Sequence, residues 1–346
     1  MTAAKQYSNT RVLINKSFEG ATPNKSHFRT ETITIEAPEL KENELFTQAL
    51  SVSLDPFIRF DFSGDAIESP VIGYVLSKVL DSNNPQYPVG SIIFSPAEWG
   101  QYSHISNPEH LGDVNRYDEA IKSSGLPHSL FNGILGVPAF TVWHSLKQVG
   151  DLKAGETIYI SSAAGTLGQI AGQLAKRKGL RVIGSAGSQD KIDYLINELG
   201  FDAAFNYKTH DKKEALLAAA GDKGIDIYYD LVGDDTVDVA LDILNPSGRI
   251  IAIGVLAMHQ NELPYAPKNT INILMKQLRY EGYLVFENYQ HFPQFWEEVV
   301  PLVKSGEIKF KETVIEDASV EHLGETYVNV LAGKYSGKVS VLLAPL

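Results

Sequence analysis

The sequence predicts an α/β chain in which a doubly wound, parallel sheet is inserted into a β-rich domain. Three observations predict it. From residue 157 to residue 285, strand-like and helix-like segments alternate in the rhythm of βαβ units. The first of these units carries a small-residue turn, Ala163-Ala164-Gly165-Thr166-Leu167-Gly168. The chain before it is a series of short β-branched runs without that alternation. A length of 346 residues is too great for one ordinary core and suits two domains.

The first 130 residues are expected to hold short strands at Arg11–Ile14, Phe28–Ile35, Glu44–Val52, Val71–Leu80 and Ser91–Phe94. Ala37-Pro38, Ser82-Asn83-Asn84-Pro85 and Pro88-Val89-Gly90 punctuate them. The pattern is that of a small barrel or sandwich, with Gly90 in a turn feeding a strand.

The pattern changes near Gly133. Pro138–Val149 reads as a helix. Thr157–Ile160 is a β-branched and aromatic run suited to a buried strand. After the turn, Leu167, Ile170, Ala171, Leu174 and Ala175 recur at helical spacing. Lys176-Arg177-Lys178-Gly179 closes that helix, with cations at its negative end and glycine just past it. Further strands are expected at 181–185, 204–206, 226–230, 249–254 and 278–285, with helices at 189–199, 212–220 and about 235–244. Six strands complete a dinucleotide-binding domain. In the tail, Phe292–Ser305 reads as a helix, and Lys309–Ile315 and Lys338–Leu343 as strands. The expected division is 1–132 with 290–346 as the β-rich domain, and 133–289 as the dinucleotide domain.

Ala163-x-Gly165-x-x-Gly168 has the dinucleotide spacing with alanine in the first position. Gly165 would let the backbone approach a pyrophosphate, and Gly168 would let helix and strand pack closely. The helix N-terminus would offer free N–H groups to the phosphates. The bland alternative is a tight turn with no ligand. The second strand bears on the cofactor. NAD-type sites carry an acid about 20 residues after the fingerprint. Here the region reads Ser185-Ala186-Gly187-Ser188-Gln189-Asp190-Lys191, small at the strand end and then cationic. A 2′-phosphate fits that better than free ribose hydroxyls do, so NADPH is the expected cofactor. Asp190 then serves as an acidic residue in a helix first turn.

The net charge of −12 argues against nucleic acid and anionic membrane surfaces as partners. The absence of cysteine removes disulfides, thiol catalysis and cysteine-held metal. The nine histidines show no metal-ligand spacing, so no metal is expected. Met1–Asn9 has no apolar leader character, and a cytoplasmic protein is expected.

Several stretches resemble the zinc-independent, NADP-dependent alkenal/one and prostaglandin (leukotriene) reductases of the medium-chain dehydrogenase/reductase superfamily. They are Ser53-Leu54-Asp55-Pro56-Phe57-Ile58-Arg59, Leu135-Gly136-Val137-Pro138-Ala139-Phe140-Thr141, the turn at 163–168, Ala186-Gly187-Ser188-Gln189-Asp190-Lys191, Gly200 to Lys208 with its Phe-Asn-Tyr-Lys, and Gly248-Arg249-Ile250-Ile251-Ala252. They occur in family order over nearly the whole chain. The resemblance implies a Rossmann domain inserted into a GroES-like one. It implies hydride transfer from NADPH to the β-carbon of an α,β-unsaturated aldehyde or ketone, without metal, and a homodimer paired through the last strand of the sheet.

By position, the resemblance places Ala164, Gly165, Thr166, Leu167 and Gly168 at the pyrophosphate, and Lys191 and Tyr207 at the 2′-phosphate. Without it, Tyr207 reads as an ordinary aromatic at a strand end. It places Thr141 by the nicotinamide ribose, where the plain alternative is a helix N-terminal residue. Leu231, Ile253, Gly254, Val255, Tyr283, Leu284 and Val285 would bracket the nicotinamide end.

Three departures touch the substrate side. Phe57 stands where the family often has tyrosine and would line the substrate pocket. His259, before Gln260, stands where the family often has a tyrosine that donates a proton or orients the carbonyl. Tyr335 stands where the family has an asparagine near the cofactor. Phe60, Phe62, Tyr265 and Phe286 could add apolar walls or belong to the core. A quinone reductase on the same scaffold is the nearest alternative. A non-catalytic NADPH-binding protein is the alternative from another class.

Overall fold

The first stretch of chain runs as strand after strand. In the computed structural model, which describes residues 5–16, 23–61, 67–106, 115–259, 265–316 and 319–346, it forms β1 (Gln6–Ile14), β2 (Phe28–Glu36), β3 (Leu45–Leu54), β4 (Ile72–Ser82), β5 (Ile92–Glu98), β6 (Tyr102–Ile105), β7 (Asn115–Arg116) and the short helix α1 (Asp118–Ser124). The alternating stretch follows. It runs α2 (Val137–Gln148), β8 (Thr157–Ile160), α3 (Thr166–Arg177), β9 (Arg181–Ala186), α4 (Gln189–Asn197), β10 (Ala203–Asn206), α5 (Lys212–Ala220), β11 (Ile225–Asp230), α6 (Thr236–Ile243), β12 (Leu244–Ala252), α7 (Ile271–Met275), β13 (Arg279–Gly282) and α8 (Phe292–Lys304). The tail adds β14 (Glu312–Ile315), α9 (Leu323–Leu331) and β15 (Lys338–Leu342).

These elements form two units. One comprises Met1–Gly133, Phe286–Tyr289 and Glu312–Leu346; the other comprises Ile134–Val285 and Gln290–Lys311. In the first, the sheet order is β14-β15-β3-β4-β5-β7, with β6 also on β3. β14 and β15 are parallel and the other neighbours antiparallel. β3 is the spine, and nine of its ten residues are buried. β1 and β2 form a separate antiparallel ribbon. Gly90, at φ +90°, makes the turn before β5 that its place after Pro88 predicts, and its N–H returns to the Val79 carbonyl at 2.9 Å.

In the second unit, six parallel strands lie in the order β10-β9-β8-β11-β12-β13. This is the doubly wound order 3-2-1-4-5-6, whose direction reverses between β8 and β11. Every expected strand of this series is present, within a few residues at each end.

Three expectations need correction. The helix at 292–304 does not return to the first unit. Its apolar face meets α2, with Phe292 stacked on Phe140 at 4.2 Å, Phe295 edge-on to it at 5.7 Å, and Glu298 accepting from Trp143 Nε1 at 2.9 Å. The return begins at Glu312. Second, 309–311 is not strand. Gln173 of α3 bonds both the N–H and the carbonyl of Lys309, and Gln169 accepts from the Lys311 N–H, so this segment is tied to a helix instead. Third, the last strand of the sheet stops at Gly282, and past it the Tyr283 N–H bonds to the Ala252 carbonyl at 3.0 Å. Among the described residues, no helix is long and apolar enough to cross a membrane.

Candidate functional site

The carboxyl edge of the second unit's sheet is where a parallel sheet of this order takes its ligands, and most of the predicted cofactor residues lie along it. β8 ends at Ile160, and the chain turns through Ser162, whose φ of +49° is left-handed. The strained position is therefore Ser162 and not Ala163, so alanine is tolerated in the first fingerprint place. The Gly165 N–H closes the turn on the Ser162 carbonyl at 2.9 Å. Ala163 N–H bonds the Ser185 carbonyl at 2.9 Å, which ties the turn to β9.

Gly165 is the N-cap of α3 and no side chain caps the helix, so the amides of Thr166, Leu167 and Gly168 face outward as donors. A Cβ on Gly165 would lie 3.1 Å from the Ser162 carbonyl oxygen. A Cβ on Gly168 would lie 2.5 Å from Ala163 Cα, which is backbone and cannot give way. Phe201 fills the next gap between helix and sheet, within 2.1 Å of where a Gly172 Cβ would stand and 2.9 Å of a Gly184 Cβ. The turn, the open helix end and the close packing fit a pyrophosphate.

At the end of β9 stands Gly187. A Cβ there would be 3.1 Å from the Tyr207 hydroxyl and 3.1 Å from Lys208 Cε. Tyr207 is 42% exposed, and its N–H continues the β9–β10 pairing onto the Ala186 carbonyl at 3.2 Å. A phenol and an ammonium stem thus converge where an NAD-type site has an acid. Lys191 is half-buried in the first turn of α4, and Asp190 beside it is exposed. Lys208 was not among the expected residues; the signal for it was its place after Tyr207 in Phe-Asn-Tyr-Lys.

At the other end of the edge, β11 finishes on Asp230, which is 1% exposed. Its Oδ1 accepts from the Tyr228 hydroxyl at 2.8 Å, from the N–H groups of Val232 and Gly233 at 2.9 and 3.0 Å, and from Ser161 Oγ at 3.4 Å. Burial still pushes its carboxyl above the ordinary value. Its own carbonyl accepts from Ile253 at 2.9 Å and Gly254 at 3.1 Å, so one residue shapes the loops after both β11 and β12. Leu231 donates its N–H to Ser161 Oγ at 2.9 Å. A Cβ on Gly254 would lie 2.7 Å from the Leu231 carbonyl oxygen. Val255 and Leu284 are exposed, while Tyr283 and Val285 are buried. Thr141 lies inside α2 and does not cap it; its hydroxyl donates to the Val137 carbonyl at 2.8 Å, and the cap is Gly136.

The remaining predicted residues fall elsewhere. Phe57 belongs to the first unit, in the 3₁₀ turn Pro56–Asp61. It is 38% exposed, edge-on to Tyr74 at 5.5 Å. Asp55 before it pairs with the buried Lys338 ammonium and accepts from Ser53 Oγ at 2.6 Å. Burial pushes Lys338 below the ordinary lysine value, with Asp55 opposing. Tyr335, in the same unit, packs its ring half-buried against the apolar cluster of Val52, Leu54 and Tyr327. His259 ends a short 3₁₀ turn, Leu256–His259, and its side chain lies outside the described residues, as do Gln260, Phe62 and the ring of Phe60. Tyr265 spends its hydroxyl on Asp238 at 2.5 Å. Phe286 is exposed in the first unit. His104 is on β6, bonded to Glu44 at 3.0 Å.

Comparison with known proteins agrees with this geometry. The family described as zinc-binding dehydrogenase matches residues 166–305, and the N-terminal domain of oxidoreductase matches residues 10–114. A 2-alkenal reductase (NADP(+)-dependent) of Nicotiana tabacum is 32% identical, over 99% of this chain and 99% of its own. The chain belongs to the zinc-independent alkenal/one reductases of the medium-chain dehydrogenase/reductase superfamily. A second member of that family, prostaglandin reductase 1 of Bos taurus, is 33% identical over 95% of this chain and 97% of its own. Among solved structures, CurA from Vibrio vulnificus in complex with NADPH superposes with a TM-score of 0.82 at 25% identity, over 97% of this chain and 100% of the other. The family's dinucleotide fold is the six-stranded unit seen here.

Proposed function

We propose that this protein is an NADPH-dependent reductase of the C=C bond of α,β-unsaturated aldehydes and ketones. The observation that carries the reading is the carboxyl edge of the six-stranded sheet. There, open α3 amides and glycine-limited turns meet a strand end with no carboxylate and with Tyr207 and Lys208 over Gly187. The relatives are named for 2-alkenals and prostaglandins, and the CurA structure holds NADPH.

When bound, the reduced nicotinamide supplies a hydride to the β-carbon of the enal. The α,β double bond becomes single, the α-carbon takes a proton from water or a side chain, and the cofactor leaves as NADP⁺. The residues of the chain bind and orient. The Ala164–Gly168 backbone takes the pyrophosphate, and Lys191 and Tyr207 hold the 2′-phosphate. Thr141 keeps an oxygen lone pair for the ribose. Leu231, Ile253–Val255 and Tyr283–Val285 bracket the nicotinamide end, and Tyr335 is assigned to the cofactor by its place in the chain. His259 is assigned the carbonyl oxygen of the substrate, as hydrogen-bond or proton donor. Phe57 supplies an apolar wall. The β-rich unit is read as the GroES-like substrate domain.

A homodimer is part of this reading. Among the described residues β13 has a neighbour on one side only, and its four residues are exposed, with Ile271, Leu274 and Met275 exposed just before it in the chain. Light scattering is expected to give twice the chain mass. The lack of a membrane-spanning helix among the described residues supports a cytoplasmic place.

The test is NADPH oxidation with a long-chain 2-alkenal, an aryl enone and an ortho-quinone, each repeated with NADH. Saturated aldehyde formed with NADPH and not with NADH is the expected result. Turnover of the quinone alone would make this a quinone reductase. Binding of NADPH without turnover of any acceptor would make it a cofactor-binding protein.

A further inference from the structure

Where the chain leaves the sheet edge, the Tyr283 N–H bonds to the Ala252 carbonyl at 3.0 Å. Beyond that point the chain alternates buried Tyr283, exposed Leu284 and buried Val285. A side-chain bond also holds it. The Tyr283 hydroxyl and His144 Nδ1 are hydrogen-bonded at 2.8 Å in a buried setting. The imidazole is itself held on several sides. It stacks on His291 at 5.0 Å and 28°, and packs against Phe140 at 5.7 Å and Trp143 at 6.0 Å. Burial, then His291 and Lys147, holds it below the ordinary histidine value, so the ring is neutral near pH 7.

His144 is on α2, three residues after Thr141, and its neighbour Ser145 bonds the Tyr229 hydroxyl of β11 at 2.8 Å. Two consecutive residues of α2 thus latch it to the sheet. The Ser145 bond holds a strand already paired on both sides. The His144 bond holds the residue just past the end of β13.

We propose that His144 and Tyr283 are a positioning pair for the nicotinamide half of the dinucleotide. They fix the Tyr283–Val285 backbone against the helix that carries Thr141. The inference rests on reading this edge as an NADPH site, and it adds the His144 imidazole and the Tyr283 hydroxyl to the groups that position that edge. It has a separable consequence. The adenosine half belongs to α3, β9 and β10, and neither His144 nor Tyr283 lies on those elements.

The experiment is calorimetric titration of NADP⁺ and of 2′,5′-ADP into the wild-type protein, Tyr283→Phe, His144→Phe and the double variant. Loss of one buried hydrogen bond should raise the Kd for NADP⁺ by about 3- to 10-fold in each single variant. The double variant should be no weaker than the worse single one, because both remove the same bond. The Kd for 2′,5′-ADP should stay within about twofold. An unchanged NADP⁺ Kd in folded variants would overturn the proposal, and so would an equal loss for both ligands, which a merely structural bond predicts. Should His144→Phe not fold, Tyr283→Phe carries the test, since it removes a single oxygen. Failure of 2′,5′-ADP to bind the wild-type protein would instead refute the cofactor reading, and the pair's role with it.

Discussion

Each unit buries one charge beneath a loop assigned to the site, and the two are neutralised differently. Asp230 in the six-stranded unit has no cation in ion-pair reach among the described residues; four donors share its Oδ1, two of them backbone N–H groups of its own loop. Lys338 in the β-rich unit meets one carboxylate, Asp55, and its remaining contact is the Leu54 carbonyl at 3.5 Å. The difference separates two jobs. A charge shared among neutral donors sets the shape of a loop, because several backbone points depend on it. A charge answered by one counter-charge sets the place where a loop starts, here the turn that carries Phe57.

The largest expected effect tests the ion pair. Lys338→Ala leaves the half-buried Asp55 without its counter-charge and should cost about 3–5 kcal/mol in denaturant unfolding. Lys338→Met combined with Asp55→Leu should restore most of that loss, since the lysine's burial is already apolar in character. Equal losses for the single and double changes would break the comparison.

Next is Asp230→Ala, which strands the donors of Tyr228, Val232 and Gly233 and should cost about 2–4 kcal/mol. Asp230→Asn keeps an accepting oxygen and should cost about 1 kcal/mol, with NADPH affinity mostly preserved. The pH dependence sharpens the point. The folded-state value of Asp230 is raised above its ordinary 3.8. Its contribution to stability is therefore fully present below 3.8 and is lost as pH rises through the raised value. Thermal melts should show Asp230→Asn gaining on the wild-type protein as pH climbs from about 3.8. A gap that stays constant with pH would contradict a raised carboxyl.

The smallest stability effect belongs to the half-buried Lys191 and the exposed Tyr207. Lys191→Ala and Tyr207→Phe should leave unfolding within about 0.5 kcal/mol of wild type. They should nevertheless lower the preference for NADPH over NADH, by about tenfold for the lysine. Direct binding of both cofactors reads it.

The fold was legible in proportion to how local its signals are. The βαβ alternation, the turn at Gly165–Gly168 and the closing Gly179 each lie within a few residues and came through. Helix α8 was assigned to the other unit because Phe292, Phe295 and Val299 announce an apolar face and not its partner. Asp230 was missed because Tyr228-Tyr229-Asp230-Leu231 reads as the end of a buried strand; the four donors come from segments some 70 residues apart. Lys338 looked like an ordinary strand lysine, and its inward register beside Ser340 is fixed by pairing of its strand with β14 and β3. Tyr207 was named through family resemblance, and its hydroxyl lies 3.1 Å from where a Gly187 Cβ would stand.

The order of strands in the β-rich unit bears on how the protein is made. β15 lies between β14 and β3, yet it is synthesised after the whole six-stranded unit. At about 5–20 residues per second, a nascent chain holds β3 without that neighbour for many seconds. The inserted unit can mature on the ribosome, while the sheet that encloses it in sequence waits with an open edge. The early half is thus a client for chaperones in a way that the later-made half is not, and stalled translation past Lys311 would release a chain with one finished unit and one incomplete sheet.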